Sequence, residues 1–191
     1  MAAPKLLAFA GSTRTESWNK KLIKIAVDGA RAAGADVTLI DLRDFPLPLF
    51  DGDLETAGFP DVALKLKQLF LEHQGLLISS PEYNSSISGV LKNAIDWVSR
   101  SAPGEKPLAC FVDKVAALMS ASPGALGGLR GLVHVRAILG NIKVLVLPEQ
   151  VAVSKAHEAF NPDGSLKDAK QQAAIQGLGA TLTRTISKLR A

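Results

Sequence analysis

The chain has 191 residues, of which 47% are hydrophobic and 21% are charged, and its formal net charge is +4. This composition is typical of a soluble globular protein, and the length favours a single domain over residues 1–191 that needs no disulfide or structural metal. The mild charge and the scattered lysines and arginines argue against a nucleic-acid binder. The single cysteine, Cys110, excludes an internal disulfide and fits a cytoplasmic protein.

Strand-like and helix-like patterns alternate from the start of the chain. Residues 5–11 form an apolar run that ends in glycine. This run is too short to span a bilayer, so it predicts a buried strand and neither a signal peptide nor a membrane insertion. Apolar side chains then recur at helical spacing over 17–34. The pattern continues with a strand over 35–42, a proline-containing loop over 43–53 and a helix over 59–74.

The second half repeats the same alternation. The residues predict a third strand at 75–80, a helix that begins near Gly89, a fourth strand at 114–122, a helix at 128–140, a fifth strand at 143–153 and a closing helix at 165–190. A turn at 161–164 precedes the closing helix. No internal repeat and no linker interrupts the series.

Five strands that alternate with five helices predict an α/β protein with three layers, a parallel sheet covered by helices on both faces. A unit of this length best suits the flavodoxin-like strand order 2-1-3-4-5. In such sheets ligands bind beyond the carboxyl ends of the strands, where the strand order reverses. Function is therefore expected after Gly11 and after Ser80, with the loop after the fourth strand beside them.

The loop after the first strand has the chemistry of a phosphate site. It combines a helix N-terminus with the cation of Arg14, the amide of Asn19 and the hydroxyls of Ser12, Thr13, Thr15 and Ser17. The Walker A and G-x-G-x-x-G patterns are both absent, so a nucleoside triphosphate or a dinucleotide in a Rossmann turn is not expected. The alternative is that Ser17 only caps the first helix.

The loops after the third and fourth strands are suited to a planar ligand. Pro81 fixes the backbone, Tyr83 offers a flat apolar face, Asn84 offers donors and acceptors, and Glu82 either faces solvent or caps a neighbouring group. Three glycines between Ser120 and Arg130 allow close approach of the backbone to a ligand. The alternative is that these segments are ordinary turns.

Several kinds of chemistry find no support in the sequence. The three histidines have no Cys or carboxylate partners at metal-ligand spacing, so no metal is expected. Cys110 is interpreted as a small buried residue, and no acid–base pair stands out. Phosphate donors and a planar platform without a catalytic residue indicate that a cofactor carries the chemistry.

Three segments together resemble the NADPH-dependent FMN reductase family and, within it, the quinone and chromate reductase branch. They are GSTRTESWN (11–19), PEYNSSISGVLKNAIDW (81–97) and SPGALGGLR (122–130). The resemblance implies a flavodoxin-like fold that binds FMN non-covalently. It places the FMN phosphate at Ser12, Arg14, Ser17 and Asn19, with the unexpectedly bulky Trp18 beside them. It places the flavin ring and ribityl chain at Pro81, Glu82, Tyr83 and Asn84, with Ser122 approaching from the side.

The resemblance also implies the reaction and the assembly. NADPH or NADH would reduce the flavin at N5, and electrons would pass to quinones or adventitiously to chromate and azo dyes. The chain would form a homodimer or homotetramer, with the helix after the PEYN segment at the subunit contact. Alternatives are a flavin reductase, an azoreductase, and a non-catalytic flavodoxin-type electron carrier. The positive charge argues against the carrier, because such carriers are usually strongly acidic.

Overall fold

The computed structural model describes residues 2–190. The elements in chain order are β1 (Lys5–Ala10), α1 (Trp18–Ala32), β2 (Asp36–Asp41), α2 (Gly52–Ala57), α3 (Asp61–Glu72), β3 (Gly75–Ser79), β4 (Glu82–Tyr83), β5 (Ser86–Ile87), α4 (Gly89–Ser99), β6 (Val115–Ala121), α5 (Leu129–Asn141), β7 (Leu145–Val153), α6 (Ala156–Ala159) and α7 (Ala169–Leu189). None of these helices is long and apolar enough to cross a membrane.

The main sheet contains five parallel strands in the order β2-β1-β3-β6-β7. In terms of the five long strands this is the order 2-1-3-4-5, so the predicted flavodoxin-like fold is confirmed. The order reverses between β1 and β3, which pair directly, with Leu7 opposite Leu76. The carboxyl ends of β1, β3 and β6 therefore lie side by side at one edge of the sheet.

Two apolar layers hold the sheet between its helices. Alternate side chains of each strand point to opposite faces, so Leu6 and Ala8 pack with α1 and α7. Leu7 and Phe9 pack on the other face with α3, α4 and α5. The three central strands, β1, β3 and β6, are buried on both sides, which is why their sequences are almost continuously apolar.

Four short features differ from the sequence prediction. The segment predicted as a loop at 43–53 begins in a single 3-10 turn, Leu42–Asp44, and ends in the start of α2. The PEYN loop is a β-hairpin, and α6 lies between the predicted fifth strand and the turn at 161–164, where no element was predicted. The closing helix begins at Ala169 and not at 165, because the carboxylate of Asp168 accepts hydrogen bonds from the Lys170 and Gln171 N–H groups.

Candidate functional site

Three loops meet at the carboxyl edge of the sheet and enclose a cavity of about 220 Å³, which we call the switch-point cavity. Its lining residues come from the loops after β1, β3 and β6: Ser12, Arg14, Ser17, Trp18, Asn19, Pro81, Glu82, Tyr83, Ala121, Ser122 and Pro123. Nine of the ten residues predicted to bind a cofactor are in this lining, and the tenth, Asn84, is not. The fold thus brings together segments that are more than a hundred residues apart in the chain.

One end of the switch-point cavity is the N-terminus of α1. Ser17 occupies the N-cap position, but its side chain makes no capping hydrogen bond, and the first turn of the helix carries no acidic residue. The partial positive charge of this helix end is therefore not offset by a carboxylate of the helix. The guanidinium of Arg14 lies 5.6 Å from the centre of the Trp18 ring, a cation–π contact that keeps the cation beside the helix end.

The side-chain amide of Asn19 makes all of its observed hydrogen bonds to other residues of the protein. Its Nδ2 donates to the Ala121 carbonyl at 2.8 Å, and its Oδ1 accepts from the Ser79 hydroxyl at 2.8 Å and from the Ala121 N–H at 3.0 Å. The residue is 3% exposed. Asn19 thus lines the switch-point cavity, while its amide joins α1 to the ends of β3 and β6.

Asn84 and Ser85 form the tip of the β4–β5 hairpin. Both have positive φ, 50° and 65°, as a two-residue type I′ turn requires. Asn tolerates this left-handed backbone better than most residues, so the turn itself explains an asparagine here. The preceding Tyr83 lines the switch-point cavity and is 51% exposed.

The carboxylate of Glu82 binds the start of α5. It accepts hydrogen bonds from the Arg130 guanidinium, at 2.9 and 2.6 Å, and from the Gly131 N–H, at 3.1 Å. Burial opposes the charge, but the bonds from Gly131 and Arg130 outweigh it and lower the pKa of Glu82 below its usual range. Of the two roles considered from the sequence, solvent exposure or capping, the structure shows capping.

Ser88 also shapes the site, as a residue that the sequence analysis did not single out. Its hydroxyl donates to the Gly11 carbonyl at 2.6 Å and accepts from the Leu91 N–H at 3.3 Å. A Cβ on Gly11 would lie 2.9 Å from the Leu91 Cβ, so only glycine allows α4 to pack this closely under the loop. This serine therefore joins the loop after β1 to the helix after the hairpin.

Other candidate chemistries are not assembled in the structure. Within residues 2–190, no group of three or more His, Cys, Asp or Glu side chains is arranged to hold a metal ion. Cys110 is 1% exposed and lies 3.7 Å from the Lys67 ammonium, and burial raises the pKa of its thiol. A buried thiol with a raised pKa is a poor nucleophile, which agrees with its interpretation as a packing residue.

Comparison with known proteins identifies the family. A family model described as NADPH-dependent FMN reductase matches residues 4–158. The chain belongs to this family. Its members are NAD(P)H-dependent reductases that bind FMN. The three motifs that carried the resemblance all lie within the matched residues.

Individual relatives agree with this family membership. The NAD(P)H-dependent FMN reductase of Pseudomonas aeruginosa is 36% identical over 187 residues, which cover 97% of this chain and 97% of that protein. The quinone reductase of Escherichia coli K12 is 33% identical over 144 residues, 75% of this chain and 73% of its own. Among solved structures, the flavoenzyme NAD(P)H:(acceptor) oxidoreductase FerB of Paracoccus denitrificans superimposes with a TM-score of 0.81 at 29% identity, over 97% of this chain and 98% of that one.

The donors in the switch-point cavity fit the FMN of this family. A phosphate monoester needs hydrogen-bond donors and positive charge, and the start of α1 offers backbone N–H groups, the Ser12 and Ser17 hydroxyls and the Arg14 guanidinium. The carboxylate among the lining residues that could repel an anion, Glu82, is paired with Arg130 on α5. Charge and donor chemistry thus agree with a bound phosphate at this end.

Proposed function

We propose that this member of the NADPH-dependent FMN reductase family transfers hydride from NADPH or NADH through bound FMN to quinones. The observation that supports this most directly is the switch-point cavity, in which nine of the ten residues predicted from the motifs share one lining. When bound, FMN would supply the redox chemistry between NAD(P)H and the acceptor, so the protein itself would need no nucleophile or metal. We therefore assign no catalytic role to any side chain of this protein.

The chain's own residues hold and orient the cofactor. Arg14, Ser12 and Ser17 would bind the phosphate, with Trp18 supporting Arg14 from one side. The segment from Pro81 to Tyr83 would border the planar ring, and Ser122 would approach it from the loop after β6. Asn84 would act through the hairpin turn that it helps to form, since it lies outside the cavity lining.

Quinones are the acceptors favoured by the relatives, several of which carry quinone reductase names. Chromate would be reduced adventitiously, and reduction of free FMN or of azo dyes is the second candidate activity. We further propose a single domain that acts in the cytoplasm as a homodimer or homotetramer, with α4 at a subunit contact. The exposed apolar side chains of Leu126, just before α5, and of Leu129 and Val133 on α5 offer a further surface for self-association.

Direct assays of the purified protein test this proposal. We expect a yellow protein that oxidises NADPH or NADH faster when a benzoquinone is present than when free FMN or an azo dye is present. If NAD(P)H oxidation is fastest with free FMN or with the azo dye, that compound and not the quinone is the preferred acceptor. A yellow protein without any NAD(P)H oxidation would favour the electron carrier, and a colourless protein that takes up no FMN would contradict the proposal.

The phosphate role of Arg14 gives a sharper test. Replacing Arg14 by Ala removes the cation at the start of α1, so the Kd for FMN is expected to rise about tenfold, as expected for loss of one charge-assisted hydrogen bond. Titration of apoprotein with FMN, followed by quenching of flavin fluorescence, measures this change. Arg184→Ala is the matched control, because Arg184 is on α7 and contacts Thr181 outside the cavity. An Arg14→Ala protein that keeps its full flavin at micromolar dilution would disprove the phosphate role.

A further inference from the structure

The N-terminus of α5 has no cap of its own. Its N-cap residue is Gly128, with a φ of 96°, no side chain is available there to accept a hydrogen bond, and the first turn of the helix contains no acidic residue. The first N–H groups of a helix lack partners within the helix and carry partial positive charge. The Leu129 N–H bonds to the Leu126 carbonyl just before the helix, and the N–H groups that follow it need an acceptor from another part of the chain.

Glu82 provides that acceptor from 49 residues away. One carboxylate oxygen accepts from the N–H of Gly131, the third residue of α5, and the other accepts twice from the guanidinium of Arg130. The Glu82 side chain is 8% exposed, whereas that of Arg130 is 57% exposed. The carboxylate is therefore held between the hairpin and the helix, and both of its oxygens are used.

Close packing fixes the hairpin on α5 around this contact. A Cβ on Gly131 would lie 3.2 Å from the Ser86 carbonyl oxygen and 3.4 Å from the Glu82 Cβ, so the helix and the hairpin are in direct contact. A Cβ on Gly128 would lie 1.9 Å from the Ser120 hydroxyl, so the helix end also sits directly on β6. A second bond, 2.9 Å long, joins the His134 ring to the Ser86 hydroxyl.

We propose that Glu82 is a positioning residue for the flavin: by capping α5 from the hairpin, its carboxylate fixes the backbone from Pro81 to Tyr83 at the edge of the switch-point cavity. The inference rests on the flavin site proposed above. In this proposal the Glu82 carboxylate bonds only to α5, and only the Glu82 backbone would contact the cofactor. The orientation of the exposed Tyr83, the next residue in the chain, would then depend on the Glu82 carboxylate, although that carboxylate contacts no ligand.

The test compares Glu82→Ala and Glu82→Gln with wild-type protein as apoprotein titrated with FMN. Glu82→Ala removes the cap and is expected to raise the Kd for FMN about tenfold, whereas Glu82→Gln keeps one acceptor and should raise it about threefold, since charge-assisted bonds are roughly twice as strong as neutral ones. At saturating FMN, the visible circular dichroism of the bound flavin should change in Glu82→Ala, because the ring then meets a displaced backbone.

Asp168→Ala is the matched control. Asp168 is also a carboxylate that caps a helix, α7, but it lies outside the cavity lining. This variant should lower the melting temperature as Glu82→Ala does, while its Kd for FMN and its flavin circular dichroism stay at the wild-type values.

The outcomes distinguish failure of the Glu82 positioning role from failure of the proposed flavin site. If wild-type protein binds FMN and both Glu82 variants match it in Kd and in circular dichroism, the positioning role is wrong and the flavin site stands. If Asp168→Ala changes the flavin signals as much as Glu82→Ala, the effect is general destabilisation and the role is again wrong. If wild-type protein binds no FMN, both proposals fail. Should Glu82→Ala not fold, the comparison of Glu82→Gln with the control still decides.

Discussion

The side chain of Asn19 connects three parts of the chain at the carboxyl edge of the sheet. It is almost fully buried, and its amide satisfies the N–H and the carbonyl of Ala121 together with the hydroxyl of Ser79. Asn19 lines the switch-point cavity, and its amide has a structural task there. A residue in this position keeps the loops of the cavity at a fixed spacing before any ligand binds.

Asn19→Ala should therefore destabilise the apoprotein. Removal of the amide leaves three buried polar groups without partners, which should lower the free energy of unfolding by about 2–4 kcal/mol. Urea denaturation without FMN measures this, with Asn161→Ala as control, because Asn161 bonds to Ser165 in a surface turn. If apoprotein stability were unchanged and only FMN binding were lost, Asn19 would act on the phosphate directly.

At the scale of elements, α1 and α7 pack more closely than ordinary side chains allow. A Cβ on Gly29 would lie 2.1 Å from the Gln176 carbonyl oxygen, and a Cβ on Gly179 would lie 2.0 Å from the Ala26 carbonyl oxygen. Both obstacles are backbone atoms, which cannot turn away as a side chain can. These two glycines therefore set the distance between the helices that cover one face of the sheet.

Helix α7 contains two glycines, Gly177 and Gly179, that form a matched pair for testing this distance. Gly179→Ala should lower the free energy of unfolding by roughly 1–3 kcal/mol, because the added methyl group forces the helices apart. Gly177→Ala should raise it by about 0.5–1 kcal/mol, since nothing lies within 4 Å of the new Cβ and alanine favours the helix. Thermal or urea unfolding of both variants measures the difference, and equal effects of the same sign would refute the close-packing explanation.

Elements with a buried, periodic face were predictable from the sequence, and the short ones were not. Apolar patterns in the sequence predict the five long strands and the helices α1, α3, α4, α5 and α7. By contrast, α2 buries no residue, and the hairpin strands are two residues long, so neither has a pattern to detect. Most of the residues that line the switch-point cavity were predictable as a set, but the bonds of Asn19 to Ala121 and of Glu82 to α5 join distant segments that no local pattern relates.

At the scale of the whole molecule, three carboxylates hold separate parts of the structure together. Asp41 binds Lys20 at the end of β2, Glu82 binds Arg130, and Glu105 binds Lys67 in the loop after α4. In each case burial opposes the charge, but hydrogen bonds outweigh it, and the pKa is lowered. Their contributions to stability therefore change with pH in the same direction.

Glu105 is the most informative of the three, because its partner is buried. Lys67 is 2% exposed, and its ammonium also donates to the Val98 and Arg100 carbonyls, so the loop after α4 folds around this cation. The carboxylate of Glu105 lies 2.8 Å from the ammonium and accepts a further bond from the Ala102 N–H. Without that carboxylate a buried positive charge would lose its counter-ion.

The pH dependence of unfolding follows from these shifts. The folded-state pKa of Glu105 lies below its ordinary value of 4.5, so its contribution is fully present above about pH 4.5 and is lost as the pH falls through the lowered value. Glu105→Gln should lower the free energy of unfolding by about 1.5–3 kcal/mol at pH 7. Its difference from wild type should shrink as the pH falls below about 4.5 and through the lowered pKa, because the wild-type carboxylate then becomes protonated as well. Urea denaturation at pH 7, 5, 4 and 3 measures both curves, and curves that stay parallel down to pH 3 would show that Glu105 stabilises the fold without its charge.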